Sequence, residues 1–331
     1  MTATTTERPP ESPVVTDEGF RTTLARLSKL SVEKHFDAYA DVDWDAPDMQ
    51  VVVGDPRWEP PAGDPIVATD WYRSLDAEGR ARYGLYRIAA SMKTGWQFEN
   101  LLQRGLLVRA FRLPNGAPEF RYVHHEIIEE SQHTLMFQEV VNRSGLPVRG
   151  MPWWARLGGT VLVNATARWA PASFFFLVLG GEEPVDHVQR RTLQVGNPHP
   201  LVERIMRIHV TEEARHVSFA RHSLRRLVPA LNPVRRHLLA VFVPVVMAGM
   251  TDLMLGAGPQ ADLRRHCGMP RSAVRQARRS SEGRQLMSDS VRKIRELCDE
   301  LSLMTRPARF LWRRLGLAQS SPVGGATVAP G

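Results

Sequence analysis

Two copies of the sequence Glu-x-x-His constrain the fold of this chain more than any other feature. They are Glu130-Ser-Gln-His133 and Glu213-Ala-Arg-His216. A helix turns once in about 3.6 residues, so this spacing places a carboxylate beside an imidazole on one face. Burying such a pair is costly unless a cation compensates it. Helical bundles that hold two metal ions use this spacing on two helices and take one Glu from each of two others. The chain is therefore predicted to be all-α, with a four-helix bundle around a dinuclear metal site.

Two further donors follow from helical phase. His209 lies one turn before Glu213 and shares its stripe, whereas Glu212 and Arg215 are expected to point elsewhere. Glu99 lies in the middle of a long helical segment, on a stripe that is otherwise apolar. The sequence thus predicts a third imidazole on the last bundle helix and a single carboxylate on the first.

The carboxylate of the third bundle helix is either Glu182 or Glu183. Val185 and Gln189 share the stripe of Glu182, whereas Arg190 shares the stripe of Glu183. The helix face of Glu182 resembles a buried core face more than the face of Glu183 does, so Glu182 is the preferred ligand.

The predicted donor set contains four carboxylates and three imidazoles. Oxygen donors with borderline nitrogens and no thiolate suit iron, manganese or zinc. Four negative charges balance two divalent ions and tolerate oxidation, which favours iron or manganese over zinc. His209 corresponds to Glu126 on the other Glu-x-x-His helix, so the two metals are expected to be inequivalent. The full set is Glu99, Glu130, His133, Glu182, His209, Glu213 and His216.

Helical segments bounded by Pro and Gly account for most of the chain. Pro184 predicts a kink near residues 180–181. Residues 41–65 are expected to form a long ordered loop packed by Trp44 and Trp58. The predicted helices cover residues 22–38, 76–112, 118–144, 151–170, 172–195, 200–227, 232–256 and 271–304.

The two ends of the chain differ in composition from its centre. Residues 1–19 are rich in Thr, Pro and Glu, and residues 318–331 in Ser, Gly and Pro. Both are expected to be flexible, which leaves residues 20–317 as a single domain.

The composition argues against nucleic-acid and membrane partners. The net charge of +8 comes from Arg residues scattered along amphipathic helices, which indicates solvated faces. The most apolar run, residues 238–250, falls short of the roughly 20 residues that cross a bilayer and is expected to be buried. Residues 1–13 lack the apolar core of a secretory signal. Cys267 and Cys298 are expected to be reduced thiols in a cytoplasmic protein.

Several local sequences resemble the 4-aminobenzoate N-oxygenase family of dinuclear iron enzymes. The resemblance covers residues 24–225, and His209 is the ligand that distinguishes this family from similar dinuclear metal proteins. No Arg of this chain is matched to a residue that would bind a substrate carboxylate. The resemblance implies a ferritin-like four-helix bundle with additional packed helices. It rests on Ser31-Val-Glu-Lys-His-Phe, Asp43-Trp-Asp45, Phe98-Glu-Asn-Leu-Leu, Glu129-Glu-Ser-Gln-His133, Glu182-Glu-Pro-Val-Asp186 and His209-x-x-x-Glu213-x-x-His216.

The same resemblance implies a reaction. Two iron ions use O2 as co-substrate to oxidise an aryl amine to a hydroxylamine, nitroso or nitro product, with electrons from an external donor. Glu130 and Glu213 are the implied bridging carboxylates, and Glu99 and Glu182 the terminal ones. A homodimer is expected on the same grounds. The alternatives are a dinuclear iron hydroxylase or desaturase acting on an apolar substrate without an amine, an iron-storage protein, and a metal-free helical binding protein.

Overall fold

A computed structural model describes residues 17–318, except for the side chains of residues 256–260. Within that range the chain contains thirteen α-helices and no strand, so the predicted all-α class is confirmed. The flexible arms expected at the ends lie almost entirely outside the described residues. The helices are α1 (Asp17–Glu33), α2 (Asp70–Arg73), α3 (Ala77–Ala110), α4 (Pro118–Ser144), α5 (Trp153–Trp169), α6 (Pro171–Val195), α7 (Pro200–Leu227), α8 (Pro233–Thr251), α9 (Gly258–His266), α10 (Arg271–Arg279), α11 (Ser281–Ser290), α12 (Arg292–Glu300) and α13 (Arg306–Arg314).

Four long helices form the bundle. Helix α3 packs on α4 and α6 packs on α7, while contacts of α4 with α7 and of α3 with α6 close the arrangement. Helix α5 connects the two pairs and packs against α3. Helices α1, α8, α9, α11 and α12 cover the outside of the bundle. The predicted ferritin-like four-helix bundle with additional packed helices is confirmed.

The bundle helices begin and end where local chemistry requires. The carboxylate of Asp76 accepts a hydrogen bond from the backbone N–H of Gly79 at 2.8 Å and so caps α3. Pro118 and Pro200 occupy first helical positions, where a missing N–H does no harm. Gly145 ends α4 with a φ of 62°, a left-handed conformation that favours glycine. The bounds of α4 and α7 match those predicted from the sequence.

Two apolar clusters fill the bundle above and below one layer. One contains Leu102 of α3, Tyr122 of α4 and Phe219 of α7. The other contains Met136 of α4 and Ile205 of α7. Along α4 and α7, the predicted donors lie between these positions. The polar layer is therefore enclosed by apolar packing on both sides.

The loop before the bundle is ordered, as its tryptophans indicated. Trp44 and Trp58 are both buried, and each indole N–H donates to a backbone carbonyl of the same loop, at 2.7 and 2.9 Å. Two short 3₁₀ turns, Pro47–Met49 and Pro56–Trp58, give the loop its local structure. The loop packs on α3 and forms one side of the cavity described below.

Two predicted helices differ from the observed ones. The segment 271–304 is three helices, and the first break lies where the hydroxyl of Ser280 caps α11 by accepting from the N–H of Gly283 at 3.0 Å. Helix α1 begins and ends earlier than predicted, and it ends before a turn in which the carboxylate of Asp37 accepts from two backbone N–H groups. Helix α6 runs from Pro171 to Val195 with Pro184 inside it, and the kink expected near residues 180–181 stays a prediction.

Helix α8 ends at Thr251, where the π-helical turn Asp252–Ala257 follows it, and it is less buried than expected. Pro233–Leu255 is long and apolar enough to span a bilayer by length and composition, and 39% of its most apolar window is buried. Core helices of soluble proteins pass the same test, so this is weak evidence for a membrane. The side chains of Leu239, Val243 and Met247 belong to the apolar core, whereas Leu238 is exposed.

Candidate metal centre

The seven predicted donors converge in the polar layer of the bundle. Each is at most 3% exposed. The side chains come from all four bundle helices, so no single helix builds the site. Helix α3 supplies Glu99, α4 supplies Glu130 and His133, α6 supplies Glu182, and α7 supplies His209, Glu213 and His216.

Glu213 lies at the centre of this group. Its Oε1 atom lies 3.1 Å from Nδ1 of His216, 3.6 Å from Nδ1 of His133 and 3.6 Å from Nε2 of His209. One carboxylate oxygen therefore faces imidazoles from two helices, the arrangement expected of a shared ligand.

Glu130 and Glu99 occupy the sides of the group. The Oε1 atom of Glu130 lies 3.1 Å from Nδ1 of His216, and its Oε2 atom lies 3.5 Å from Nδ1 of His133. Oε1 of Glu99 lies 3.5 Å from Nε2 of His209. The Thr134 hydroxyl donates to the other oxygen of Glu99 at 3.2 Å, which orients that carboxylate.

The donor set fits cations. Three overlapping groups each have one ligand atom per residue within 4.8 Å of the others: Glu99 with His133 and His209, Glu130 with His133 and Glu213, and Glu182 with His209 and Glu213. Buried oxygens of Glu130, Glu182 and Glu213 have no hydrogen-bond partner among the described residues. Buried carboxylate oxygens without a partner are costly unless a cation neutralises them. His133, His209 and Glu213 each belong to two of these groups, as expected of a site that holds more than one ion.

The electrostatics of the layer lead to the same conclusion. Burial raises the pKa of Glu99 to about 7 and the pKa of Glu182 well above its usual range. Burial by itself lowers the pKa of His133, but the neighbouring carboxylates, Glu130 and Glu212 above all, outweigh it and raise that pKa well above its usual range. The surrounding carboxylates therefore favour positive charge at the centre of the layer.

The adjacent glutamates Glu182 and Glu183 have different surroundings. Oε1 of Glu183 accepts hydrogen bonds from Nε and Nη2 of Arg221, at 2.8 and 2.5 Å. Glu182 instead belongs to the donor group with His209 and Glu213. The structure thus places in the cluster the residue that the sequence preferred, and it gives the other one an ion pair.

Sequence reasoning missed the residues behind the imidazoles. Glu212 and Arg215 lie outside the donor groups, as expected, but they contact the imidazole and the carboxylates of the layer behind them. Nε2 of His133 lies 2.9 Å from Oε2 of Glu212, and Nε2 of His216 lies 2.8 Å from Oε2 of Glu129. Arg215 contacts both carboxylates, at 2.9 Å to Glu129 and 3.2 Å to Glu212. The sequence does contain a sign of the two carboxylates behind the imidazoles, because each Glu-x-x-His is preceded by a second Glu. Such partners orient metal-binding imidazoles and raise their basicity.

The turn after α1 covers this outer layer. The backbone N–H of Phe36 donates to Oε1 of Glu212 at 3.2 Å. The N–H of Ala38 donates to Oε1 of Gln132 at 2.8 Å, and the amide of Gln132 donates in turn to Asp37 at 3.2 Å. The turn thereby links α1 to both Glu-x-x-His helices.

Glu126 is a further buried carboxylate close to the layer. It lies one turn before Glu130 and is 2% exposed, and its Oε2 atom has no hydrogen-bond partner among the described residues. Burial raises the pKa of Glu126 well above its usual range, which His216 partly offsets and Glu130 reinforces. Glu126 therefore occupies on α4 the position that His209 occupies on α7, four residues before the Glu of each Glu-x-x-His.

A cavity of about 240 Å³ opens onto one side of the donor group. Glu99, Glu182 and His209 are part of its wall, and apolar side chains such as Met92 and Phe98 surround them. The remaining donors lie behind this wall, so a molecule in the cavity approaches one edge of the centre.

The family model described as P-aminobenzoate N-oxygenase AurF matches residues 17–302. The chain is 39% identical over 302 residues to "Uncharacterized protein MT0908" of Mycobacterium tuberculosis (strain CDC 1551 / Oshkosh). The matched region covers 91% of this chain and 88% of that protein. "Uncharacterized protein Mb0909" of Mycobacterium bovis shows the same identity and coverage. Neither relative's name states a substrate.

Proposed function

Since the chain belongs to the P-aminobenzoate N-oxygenase AurF family, we propose that it is an O2-dependent, non-haem dinuclear iron oxygenase that N-oxygenates an aryl amine. In the first turnover one oxygen atom enters an N–H bond of the amine and the other leaves as water. An external donor supplies two electrons and solvent supplies two protons. A second insertion gives an N,N-dihydroxy amine, which loses water to the nitroso compound. A third turnover adds one oxygen atom to the nitroso nitrogen to give the nitro compound, again with two electrons, two protons and release of one water.

The observation that carries this proposal is the convergence of seven buried donors at the edge of a cavity. Four carboxylates and three imidazoles from four helices lie together, and three of them, Glu99, Glu182 and His209, line a cavity that a small organic molecule can enter. In the proposed assignment Glu99, Glu130, Glu182 and Glu213 would hold two iron ions through carboxylate oxygens, and His133, His209 and His216 would hold them through imidazole nitrogens. The bound metals supply the O2-activating redox chemistry.

The protein's own residues have three tasks in this proposal. Glu129, Glu212 and Arg215 hold two imidazoles in place from behind. The apolar cavity wall excludes water, so oxidation is directed at the bound amine. Thr134 orients the carboxylate of Glu99, which lies on the cavity side of the centre.

A single-turnover experiment tests the proposal. The protein is reconstituted with ferrous iron, its metal content is measured, and the reduced protein is mixed with O2 and an aryl amine. We expect a product with oxygen on nitrogen, identified by mass spectrometry with labelled O2. Full iron loading without any N-oxidised product contradicts the proposal, and oxygen on carbon or a new double bond instead supports a hydroxylase or desaturase.

We also propose that the electron donor is a separate protein, that the enzyme is a homodimer and that it works in the cytoplasm. Sedimentation of the purified protein tests the oligomeric state, and fractionation of the producing cells tests the location.

A further inference from the structure

Helix α5 presents an apolar face to solvent. It contains no Asp, Glu or Lys, and its only charged residues are Arg156 and Arg168. Its inner face packs on α3 and α6. A helix that is apolar all round is typical of a buried position, so the fold of one chain does not account for the outer face. The large apolar side chains exposed there are Trp153, Trp154, Leu157, Val161, Leu162 and Trp169.

The exposed apolar surface continues from α5 onto the C-terminal end of α3. Leu107 and Phe111 are exposed there, and together with Arg168 of α5 they line a shallow surface pocket. We call the combined surface the α5 face. It consists of Leu107, Phe111, Trp153, Trp154, Leu157, Val161, Leu162 and Trp169.

The size of the α5 face is unusual for a free surface. Its three tryptophans are 61–72% exposed, which leaves roughly 400 Å² of indole surface in water. The largest apolar patch on an ordinary monomer measures about 300–600 Å². With the Leu, Val and Phe side chains added, the α5 face approaches the roughly 800 Å² that each partner buries in a stable interface.

The two ends of the α5 face complement each other. Trp153 and Trp154 are exposed at the N-terminal end, and the pocket lies at the C-terminal end. An indole fits an apolar pocket, and guanidinium groups stack on aromatic rings. Cζ of Arg168 already lies 5.8 Å from the ring centroid of Trp169. The pocket is lined by Leu107, Val108, Phe111, Arg112 and Arg168.

A two-fold axis near Val161 would bring these ends together. Val161 is the central residue of α5, which spans about 24 Å from Trp153 to Trp169. When a second α5 packs antiparallel across Val161, the N-terminal tryptophans of each copy reach the pocket of the other. A two-fold interface uses the same patch on both chains, so this contact is made twice.

The chemistry of the α5 face favours a protein partner over a lipid surface. Interfaces between proteins are rich in Trp, Phe and Arg and poor in Lys, Asp and Glu, as this face is. A lipid surface also accepts Trp and Arg, but it offers no protruding group for the pocket.

We propose that the α5 face joins two copies of this chain in a homodimer, with the two α5 helices packed antiparallel across Val161. This inference rests on the homodimer that forms part of the proposed function, and it names the interface. All seven candidate metal donors come from one chain. Separation of the copies is therefore expected to leave iron binding in place.

The test compares two valines of nearly equal exposure. Val161 is 62% exposed at the centre of the α5 face, and Val53 is 59% exposed in the loop before the bundle. Each is replaced by Glu and, separately, by Cys in the iron-loaded, full-length protein. Sedimentation velocity over a concentration series measures the dissociation constant of the dimer, and a short bismaleimide cross-links the Cys variants. Iron content and circular dichroism check the fold.

We expect the wild-type protein to be a dimer. A buried charge opposite its own copy should make Val161→Glu raise the dissociation constant by about thirtyfold or more, whereas Val53→Glu should leave it unchanged. Val161→Cys should give a cross-linked dimer. Val53→Cys should not, although it carries the same two native thiols. Replacement of both Trp153 and Trp154 by Ala should also weaken the dimer, because it empties the pocket.

A monomeric wild type, a dimer that Val161→Glu leaves unchanged, or no cross-linking of Val161→Cys overturns the inference. Flotation of a monomeric protein with phosphatidylglycerol vesicles, lost in Val161→Glu, would assign the α5 face to a lipid surface instead. An intact dimer that gives no N-oxidised product contradicts the oxygenase function and supports the interface, so the two failures are distinguishable.

Discussion

The imidazole of His133 and the carboxylate of Glu212 lie 2.9 Å apart and join α4 to α7 behind the candidate metal centre. A carboxylate only accepts hydrogen bonds, so the contact places a proton on Nε2 and directs Nδ1 toward Glu130 and Glu213. His216 and Glu129 repeat the relationship in the opposite direction, from α7 to α4. The two helices therefore orient each other's imidazoles.

Glu212→Gln tests that relationship. The amide keeps the shape but loses the charge that raises the basicity of His133, so we expect iron affinity to fall by about tenfold to a hundredfold. Competition with a chromogenic chelator measures the affinity, and circular dichroism checks the fold. Glu203→Gln, on a partly exposed residue of α7 that pairs with Arg207, is the control. Unchanged affinity in Glu212→Gln would show that the contact does not tune the ligand.

Glu213→Ala and His209→Ala should affect the two metals differently. Glu213 faces three imidazoles, so its loss should remove both irons. His209 contacts Glu99 and Glu213 on one side of the group, so its loss should weaken one metal and leave the other. Metal analysis after gel filtration compares the two variants. Two irons retained by Glu213→Ala, or equal loss of both metals in His209→Ala, contradicts the assignment.

Glu182→Gln and Glu183→Gln form a matched pair at adjacent positions. We expect the first to lower iron content, because it removes a charged donor from the cluster. The second should retain iron but lower the free energy of unfolding by about 1–3 kcal/mol, because Arg221 loses its charged partner. Metal analysis and urea denaturation of both variants separate the effects. Iron loss from Glu183→Gln alone would reverse the assignment of the terminal ligand.

Gly181→Ala should disturb the centre through packing. A Cβ at this position would overlap the ring of Phe98, the residue before Glu99. We expect a loss of about 1–3 kcal/mol in the free energy of unfolding, together with weaker iron binding. The control is Gly158→Ala on α5, where nothing lies within 4 Å, and this change should stabilise the helix by about 0.5–1 kcal/mol. Thermal and urea denaturation compare the two.

The two thiols should be slow to alkylate in the folded protein. Burial raises the pKa of Cys267 to about 11, and burial also raises the pKa of Cys298 above its usual range. Since the thiolate is the nucleophile, reaction with iodoacetamide should be slow at pH 8 and accelerate toward pH 11 at Cys267. Peptide mass mapping measures both sites, and denatured protein is the control. Rapid labelling of native Cys298 at pH 8 would contradict the burial and the raised pKa of this thiol.

Much of the bundle follows from local sequence, because helix ends and helical faces depend on residues close together in the chain. The bounds of α4 and α7 match the prediction, since Pro118 and Pro200 favour a helix start, and Gly145 a helix end, at their own positions in the chain. Segment 271–304 was predicted less well, because the capping hydroxyl of Ser280 competes with a continuous helix and the apolar pattern alone does not reveal it.

The amino-acid sequence by itself predicted the all-α class and six of the seven candidate donors, and it left the seventh between Glu182 and Glu183, because the 3.6-residue period selects which side chains share a helix face. Only the tertiary structure decided how Glu129 and Glu212 cross between helices to reach imidazoles, and which of Glu182 and Glu183 faces the cluster. Those contacts depend on how each helix is rotated against its neighbours. That rotation is set by the packing of the whole core and not by any local run of residues.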